Sequence, residues 1–557
     1  MTESPVPDDE AFNQSPPLVD VNLFTSDRAL QEALAREGGA WAGGELEAFG
    51  RLAGSAASLE LGRLANEHPP RLERFARQGM RTDRVEFHPS YHQLMAISIA
   101  QGLHCSTWEH LVTGANAKSG AHVARAAGSY MAAQMEAGHC CPITMTHAAV
   151  ASLRHAPGLA RDVVPKVVSR VYDPSAAPMR EKSAITIGMG MTERQGGTDV
   201  RANTTRAEPV EAAGAGMAYA ITGHKWFLSA PMSDAFLVLA QAKGGLSCFL
   251  MPRLAPDGAL NGLKLQRLKD KLGNRSNASA EVEFDRAMGF LVGEEGRGVA
   301  TIIDMVTLTR LDCAVSSAGL MRQAVARAIH HSRHRSVFQK LLIDQPLMRQ
   351  VLADMALDVE AGTALAFRLA RAFDGGADEG EAAYRRLMTP VTKYWVCKIA
   401  PALAYEAMEC LGGNGYVEEG GFPRLYREVP VNAIWEGSGN VMCLDVLRVI
   451  EREPEVLGRV LTELETLAAG EPRINAAVSR IKDLLGEASH DQGAARTLVE
   501  LLALAQAAAL LVRHVPTTVS DAFLATRLQG SWRTTYGVGL AKADTRAIVA
   551  RAAPSLA

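Results

Sequence analysis

The segment Ile434-Trp435-Glu436-Gly437-Ser438-Gly439-Asn440 places one carboxylate between an aromatic side chain and a glycine-rich turn. An apolar wall disfavours the charged carboxylate and raises its pKa toward the range useful to a general base. Glu436 is therefore a candidate base beside a flat ligand, although a lone Glu in such a loop is more often a solvated surface residue. A second run, Gly188-Met189-Gly190-Met191-Thr192-Glu193-Arg194-Gln195-Gly196-Gly197-Thr198-Asp199-Val200, joins glycines that admit close backbone approach to two Thr hydroxyls able to meet carbonyls or phosphates. It lacks the Gly-Lys-Ser/Thr of a P-loop, and no convincing strand precedes it for a dinucleotide fingerprint. Taken alone it also reads as a plain loop. His224-Lys225-Trp226-Phe227-Leu228-Ser229 sets two aromatics beside a hydroxyl, a pattern equally at home in a core.

The elements that must carry these residues change along the chain. Residues 1–30 are rich in Pro, Asp and Ser and read as an extended arm. Residues 31–183 carry helical spacing of Ala, Leu and Met, with 121–135 a helix of small residues suited to close packing. Residues 184–292 read as a β domain. Ala218-Tyr219-Ala220-Ile221-Thr222-Gly223 is a short strand, Ala235–Ala240 and Leu246–Met251 form a hairpin about Lys243-Gly244-Gly245, and Ala280–Phe284 alternates. Helical pattern returns over 293–445, where Leu347–Phe373 is a long amphipathic stretch, and continues as an extension over 446–557. The order predicts an α+β protein.

Composition bounds the function. The 557 residues suffice for three or four domain-sized units. A net charge of −3 excludes a polycation, so any nucleic-acid site must be local. No run of about 18 apolar residues reads as a membrane span, and the start lacks a basic and apolar leader. We therefore expect a cytoplasmic protein without a membrane partner. Eight scattered cysteines without a Cys-x-x-Cys pair read as idle thiols. His330-His331 and His334 read as a solvated helix face rather than a metal site, so we expect no metal.

Taken in order, these segments resemble the acyl-CoA dehydrogenase family. Met191-Thr192-Glu193 with Gly197-Thr198-Asp199 is similar to its flavin-edge signature, His224–Ser229 to its next flavin segment, and Trp435-Glu436-Gly437-Ser438 to its catalytic-base segment. Lys271-Leu272-Gly273-Asn274-Arg275, Gly293–Gly298, Arg335-Ser336-Val337-Phe338 and Gly412-Gly413-Asn414-Gly415-Tyr416 match further family segments. The resemblance implies a helical N-terminal domain, a central β-barrel and a C-terminal four-helix bundle, here with a helical extension. It implies FAD, contacted by Met189, Gly190, Met191, Thr192, Glu193, Gln195, Gly196, Gly197, Thr198, Phe227, Leu228 and Ser229. It also implies contacts from Ile434, Trp435, Gly437, Ser438, Gly439 and Asn440. Arg335, Phe338, Gly412 and Gly413 would reach the FAD of a neighbouring subunit, so the resemblance implies a homo-oligomer, a tetramer. Glu436 would take the α-proton of an acyl-CoA, with Thr192, Thr198, Ser229 and Arg310 toward the substrate. Thr307 stands where the family has an Asp, and Met442-Cys443 where it has Gln-Arg, so flavin binding is better supported than efficient turnover.

Residues 501–557 hold six Lys and Arg against two Asp, with Trp532 and Tyr536 between them. Local cationic charge suits non-specific duplex binding through phosphates; charge alone equally fits a packed helical domain with solvated arginines. The branch of the family concerned with the bacterial adaptive response to DNA alkylation carries such an extension, associated with double-stranded DNA. The resemblance to that branch implies Arg448, Arg513, Arg527, Arg533 and Arg546 as DNA contacts, an alkylating agent as an alternative substrate, and weak, isovaleryl-CoA-like dehydrogenase activity. A metabolic acyl-CoA dehydrogenase or an acyl-CoA oxidase, with a structural extension, is the other reading.

Overall fold

The computed structural model describes residues 12–529, 536 and 543–555. The chain forms two compact units, one of residues 57–312 and one joining 1–56 to 313–557.

In the first unit the β domain is built from β1 (Arg71–Phe75), β2 (Arg81–Glu86), β3 (Ile187–Gly190), β4 (Arg206–Pro209), β5 (Ala218–Ser229), β6 (Ala235–Ala242), β7 (Gly245–Pro252), β8 (Leu263–Leu268) and β9 (Ser279–Val292). β5 pairs with β9, β9 with β7, and β7 with β6. β6 pairs with β3 and β4, which both pair back to β5, so the sheet closes on itself as a barrel. Closure removes the free edges that an open sheet would expose. Alternate residues fill the interior, among them Tyr219, Ile221, Leu228, Phe236, Val238 and Phe249. The expected hairpin is present as β6–β7, with Ala242 opposite Gly245. The expected short strand 218–223 runs on to Ser229 instead, so the second aromatic segment lies on a barrel strand.

The helices α1 (Ala121–Met135) and α2 (Cys140–Leu153) belong to this unit and are buried along most of their length. The β1–β2 hairpin departs from the all-helical expectation for 31–183. It docks on β8: Asp83 accepts from the Leu265 N–H at 2.9 Å, and Arg81 donates to the Leu265 carbonyl at 2.6 Å. Its strands are mostly charged, so no apolar alternation marks them.

The second unit is helical: α3 (Gly298–His334, from Cys313 onward), α4 (Pro346–Asp374), α5 (Glu379–Glu409), α6 (Gly439–Arg452), α7 (Pro454–Ala468), α8 (Pro472–His490), α9 (Ala495–His514), α10 (Thr517–Arg527) and α11 (Thr545–Ala552). The boundary expected at 445/446 falls inside α6. α9 packs against α4, α5, α6 and α7, and α11 against α4. Residues Gln492–His514 are long and apolar enough to cross a membrane by length and composition, which corrects the expectation of no such run, and 67% of that window is buried inside the fold.

α4 is not amphipathic in place, because every residue from Leu352 to Ala370 is buried. Its polar residues meet arginines of the extension. Arg527 donates to Asp358 at 2.8 Å and also reaches Asp354, with all three side chains almost fully buried. Arg551 pairs with Glu360 of α4 and with Glu32 of the helix Arg28–Arg36. His330 and His331 are buried rather than solvated, and they hold the arm: His331 shares a hydrogen bond with Ser15, and His330 with the Pro16 carbonyl. Removing one partner of a buried ion pair leaves an uncompensated charge at a cost of about 3–5 kcal/mol. We expect Arg527→Met to lower stability by about that amount in urea titration, and an unchanged midpoint would contradict this packing.

Candidate active site

Site residues gather into two groups, one within each unit. In the barrel, β3 runs parallel to β6 and meets β5 at Met189 opposite Ser229. Glycine is required where the strands crowd: a Cβ on Gly190 would lie 2.7 Å from Leu228 Cδ1. Beyond Gly190 the chain leaves the sheet and is tied back by Glu193. That carboxylate is fully buried, 2.8 Å from Lys225 Nζ. It also accepts from the N–H groups of Thr204 and Thr205, the Thr204 hydroxyl and the Gln195 amide. Burial pushes the Glu193 carboxyl up, but Lys225 and these donors outweigh it and hold it well below the usual carboxylate range.

With the loop fixed in this way, Thr192 and Met191 are half-buried, and Gln195, Gly196, Gly197 and Thr198 are exposed. Trp226 N–H donates to the Thr192 carbonyl at 2.8 Å, and the Asn203 amide to that of Met191 at 3.0 Å. β5 carries a bulge between Lys225 and Leu228, so one extra residue stands opposite β9. A bulge re-aims side chains. Here it keeps Lys225 and Leu228 inside while Phe227 emerges, 47% exposed, and Ser229 stays half-buried. Trp226 and Phe227 are thus not core residues. Lys269 Nζ sits 3.6 Å from the Trp226 ring centroid and 4.6 Å from that of Phe227.

Three of the expected cofactor residues lie within the fold. Glu193 and Leu228 are fully buried, and Met189 nearly so. They support the flavin segment from behind. Arg310 is buried on α3. Two residues away, Asp312 holds Arg125 through two 2.7 Å bonds and accepts from Thr144 at 2.8 Å.

In the helical unit, Glu436 sits half-buried in a turn at the N-terminal end of α6. Its φ is +58°, the left-handed region that costs a non-glycine residue roughly 1–2 kcal/mol. Gly437 follows at +104°. The buried Lys393 of α5 donates to the Trp435 carbonyl at 2.9 Å and to the Gly437 carbonyl. Trp435 Nε1 donates to Asn432, whose amide donates to Ser317. Asn440 accepts from Arg496 at 2.9 Å. Ile434 and Ser438 are exposed, and Gly439 abuts the Tyr394 ring.

In the same unit, Arg335 donates to the Asn13 carbonyl, and Phe338 is 90% exposed at the left-handed tip of a two-residue hairpin. Gly412 has φ +58°, and Gly413 begins the next short helix. Among the proposed DNA contacts, Arg513 and Arg546 are exposed. Arg448 is more than half exposed beside Asp445. Arg533 lies outside the described residues. Arg527 is corrected: its guanidinium is spent on two buried aspartates. Among the described residues no cluster of His, Cys, Asp or Glu could hold a metal.

Lys225 and Lys393 hold the two groups in place, and no sequence motif marks either for that task. Lys225 lay inside a matched segment, next to the aromatics it supports. Lys393 had no local signal, because its partners lie more than forty residues away. We expect Lys225→Met to lower stability by about 3–5 kcal/mol and to release flavin, read as the ratio of visible to ultraviolet absorbance. The same pair sets a pH response. Glu193 stabilises the fold above the ordinary carboxylate value of 4.5, and that stability is lost as pH falls below it. Flavin retained at neutral pH in the variant would argue against this clamp.

The chain matches family models described as the N-terminal domain of adaptive response protein AidB over residues 13–174, the acyl-CoA dehydrogenase middle domain over 188–287, and the acyl-CoA dehydrogenase C-terminal domain over 296–451. It is 49% identical over 514 residues, 92% of this chain and 93% of the relative, to "Putative acyl-CoA dehydrogenase AidB" of Escherichia coli (strain K12). It is 32% identical to acyl-CoA dehydrogenase family member 11 of Caenorhabditis elegans, covering 83% of this chain and 75% of that protein. The crystal structure of C. elegans ACDH-11 in complex with C11-CoA superposes with a TM-score of 0.86 at 30% identity, covering 96% of this chain and 95% of the other. A Bacillus anthracis acyl-CoA dehydrogenase complexed with FAD, 17% identical, shares the fold, with a TM-score of 0.65 over 79% of this chain and 81% of its own. The residues of this chain fit FAD: Thr192 and Thr198 on the loop and Ser229 on β5 carry hydroxyls, Phe227 emerges from β5, and the exposed Gly196 and Gly197 leave backbone open to a flat ring. The chain therefore belongs to the acyl-CoA dehydrogenase family, with an AidB-type N-terminal domain, and is an FAD-dependent oxidoreductase.

Proposed function

We propose that this protein oxidises an acyl-CoA slowly, with Glu436 as base, and binds double-stranded DNA as part of a response to DNA alkylation. The observation that carries the catalytic part is the Glu436 turn. A carboxylate is held in a left-handed conformation at a helix N-terminus, half-buried beside Trp435. Strain of that kind persists where the surroundings over-determine it, as at functional sites. Glu436 takes the α-proton of the thioester; bound FAD supplies the hydride acceptor for the β-carbon. Thr192, Thr198 and Ser229 offer hydroxyls to the flavin and the thioester carbonyl. The C. elegans relative whose structure holds C11-CoA supports an acyl-CoA as ligand.

The DNA part is supported by the 49% identity to the E. coli AidB protein across nearly the whole chain, and by the description of the matched N-terminal model as an adaptive response protein. The exposed Arg448, Arg513 and Arg546 are the proposed phosphate contacts. We place the protein in the cytoplasm as a homotetramer, in which Phe338 is covered by a second copy and weak DNA contacts add through avidity. A metabolic dehydrogenase or an oxidase remains the competing reading, favoured by brisk turnover of an ordinary acyl-CoA.

Two measurements test this. Glu436→Gln should keep FAD yet abolish bleaching of the flavin by isovaleryl-CoA and undecanoyl-CoA. Bleaching at the wild-type rate would remove Glu436 from its role. In a gel shift, duplex binding should weaken steeply with salt, and Arg448→Glu, Arg513→Glu and Arg546→Glu together should weaken it by roughly tenfold or more. Retention of a duplex by the triple variant at wild-type affinity would remove these residues from DNA recognition.

A further inference from the structure

We infer that Lys393 is the positioning residue for Glu436: one buried ammonium on α5 clamps the peptide carbonyls on both sides of the base and so sets where its carboxylate points. The inference rests on the reading of Glu436 as base.

Three observations carry it. First, the two acceptors are the carbonyls of Trp435 and Gly437, the residues immediately before and after Glu436. The first carbonyl lies in the peptide that enters Glu436 and the second in the peptide one residue beyond it, so tying both to one point restrains the Glu436-Gly437 torsions together, and the Glu436 φ of +58° is a conformation that it would leave if released. Second, Lys393 is 1% exposed, and among the described residues its ammonium is met by carbonyls, not by a carboxylate. A buried ammonium is a costly way to fill space in a helix bundle, where an apolar side chain would pack at lower cost. That cost is directed at one turn. Third, the turn is locked from the same helix a second time. Trp435 Nε1 binds Asn432, Asn432 binds Ser317, and the Ser317 hydroxyl donates to Cys397, one helical turn beyond Lys393. The ring beside the base and the backbone beneath it are thus referred to a single rigid element, as precise orientation of a catalytic group demands.

The test uses the FAD-loaded full chain. Lys393→Met should retain flavin and bind undecanoyl-CoA with unchanged affinity, read as the shift of the flavin spectrum on binding. Its rate of flavin bleaching by isovaleryl-CoA and undecanoyl-CoA should fall by roughly 100-fold, the scale of a misplacement of about 1 Å. Lys393→Arg, which keeps a cation and donors, should recover most of that loss. A crystal structure of Lys393→Met should show Glu436 outside the left-handed region. This last readout needs no turnover. A Glu436 that keeps its φ in that structure overturns the proposal, as does a bleaching rate equal to wild type. Should Lys393→Met fail to fold, Lys393→Gln, which keeps a donor without the charge, takes its place. Loss of flavin and of rate in parallel in that variant would mean a merely structural lysine and also overturns it. Glu436→Gln separates the two claims: if it bleaches normally, the base assignment fails, whereas if it is inert and Lys393→Met is normal, only the positioning role fails.

Discussion

The flavin-edge group of residues depends on the buried pair between Glu193 and Lys225. Lys225 is fixed by the barrel, since β5 pairs with β9 on either side of it. Glu193 belongs to a loop that has left the sheet and would otherwise have only turn contacts. Joining them fastens residues 191–205 to the barrel wall, and the extra donors from Thr204, Thr205 and Gln195 satisfy the remaining carboxylate lone pairs. Burying two charges is costly unless this is done well, because desolvation competes with their attraction. Satisfied in this way, the pair gives the loop one conformation, and Thr192, Thr198 and the emergent Phe227 acquire defined places. The bulge that turns Phe227 outward begins at Lys225 itself, so the same residue anchors the loop and starts the change of register.

The extension follows a similar logic with a different result. Residues 446–557 hold thirteen Lys and Arg against twelve Asp and Glu, so the whole segment is almost neutral. The excess near its end is partly consumed inside the fold, where Arg527 pairs with Asp354 and Asp358 and Arg551 with Glu360 and Glu32. These arginines give partners to three buried acidic residues of α4, and its buried Arg368 pairs with Glu381 and Glu463. The extension is thus first a cover for the bundle. Among the described residues, Arg448, Arg513 and Arg546 of the extension face outward.

Much of the fold was legible in the residues. The Lys243-Gly244-Gly245 turn between two apolar runs specified β6 and β7, and the spacing of small residues specified α1 at its observed limits. The β1–β2 hairpin was not legible, because its side chains are mostly charged and its partner β8 lies about 180 residues onward. The helix pattern of Leu347–Phe373 was legible, but its amphipathic look was misleading, since the polar face is covered by distant segments. His330 and His331 misled for the same reason: the arm that buries them is more than three hundred residues away in the chain.

By itself the sequence determined the chemistry on offer: one carboxylate beside Trp435, hydroxyls and glycines suited to a flavin, and an arginine-bearing tail. Those are local properties of residue type and spacing. Which groups face outward and which are spent on stability was decided only by the tertiary structure. Glu193, Leu228 and Arg527 look like ligand contacts in the chain and turn inward in the fold, while Phe227, in a segment equally at home in a core, emerges. The physical reason is that burial and charge pairing are set by partners far away in sequence. Lys393 shows this most plainly: nothing around it in the chain connects it to Glu436, and only the packing of α5 against the turn before α6 does so.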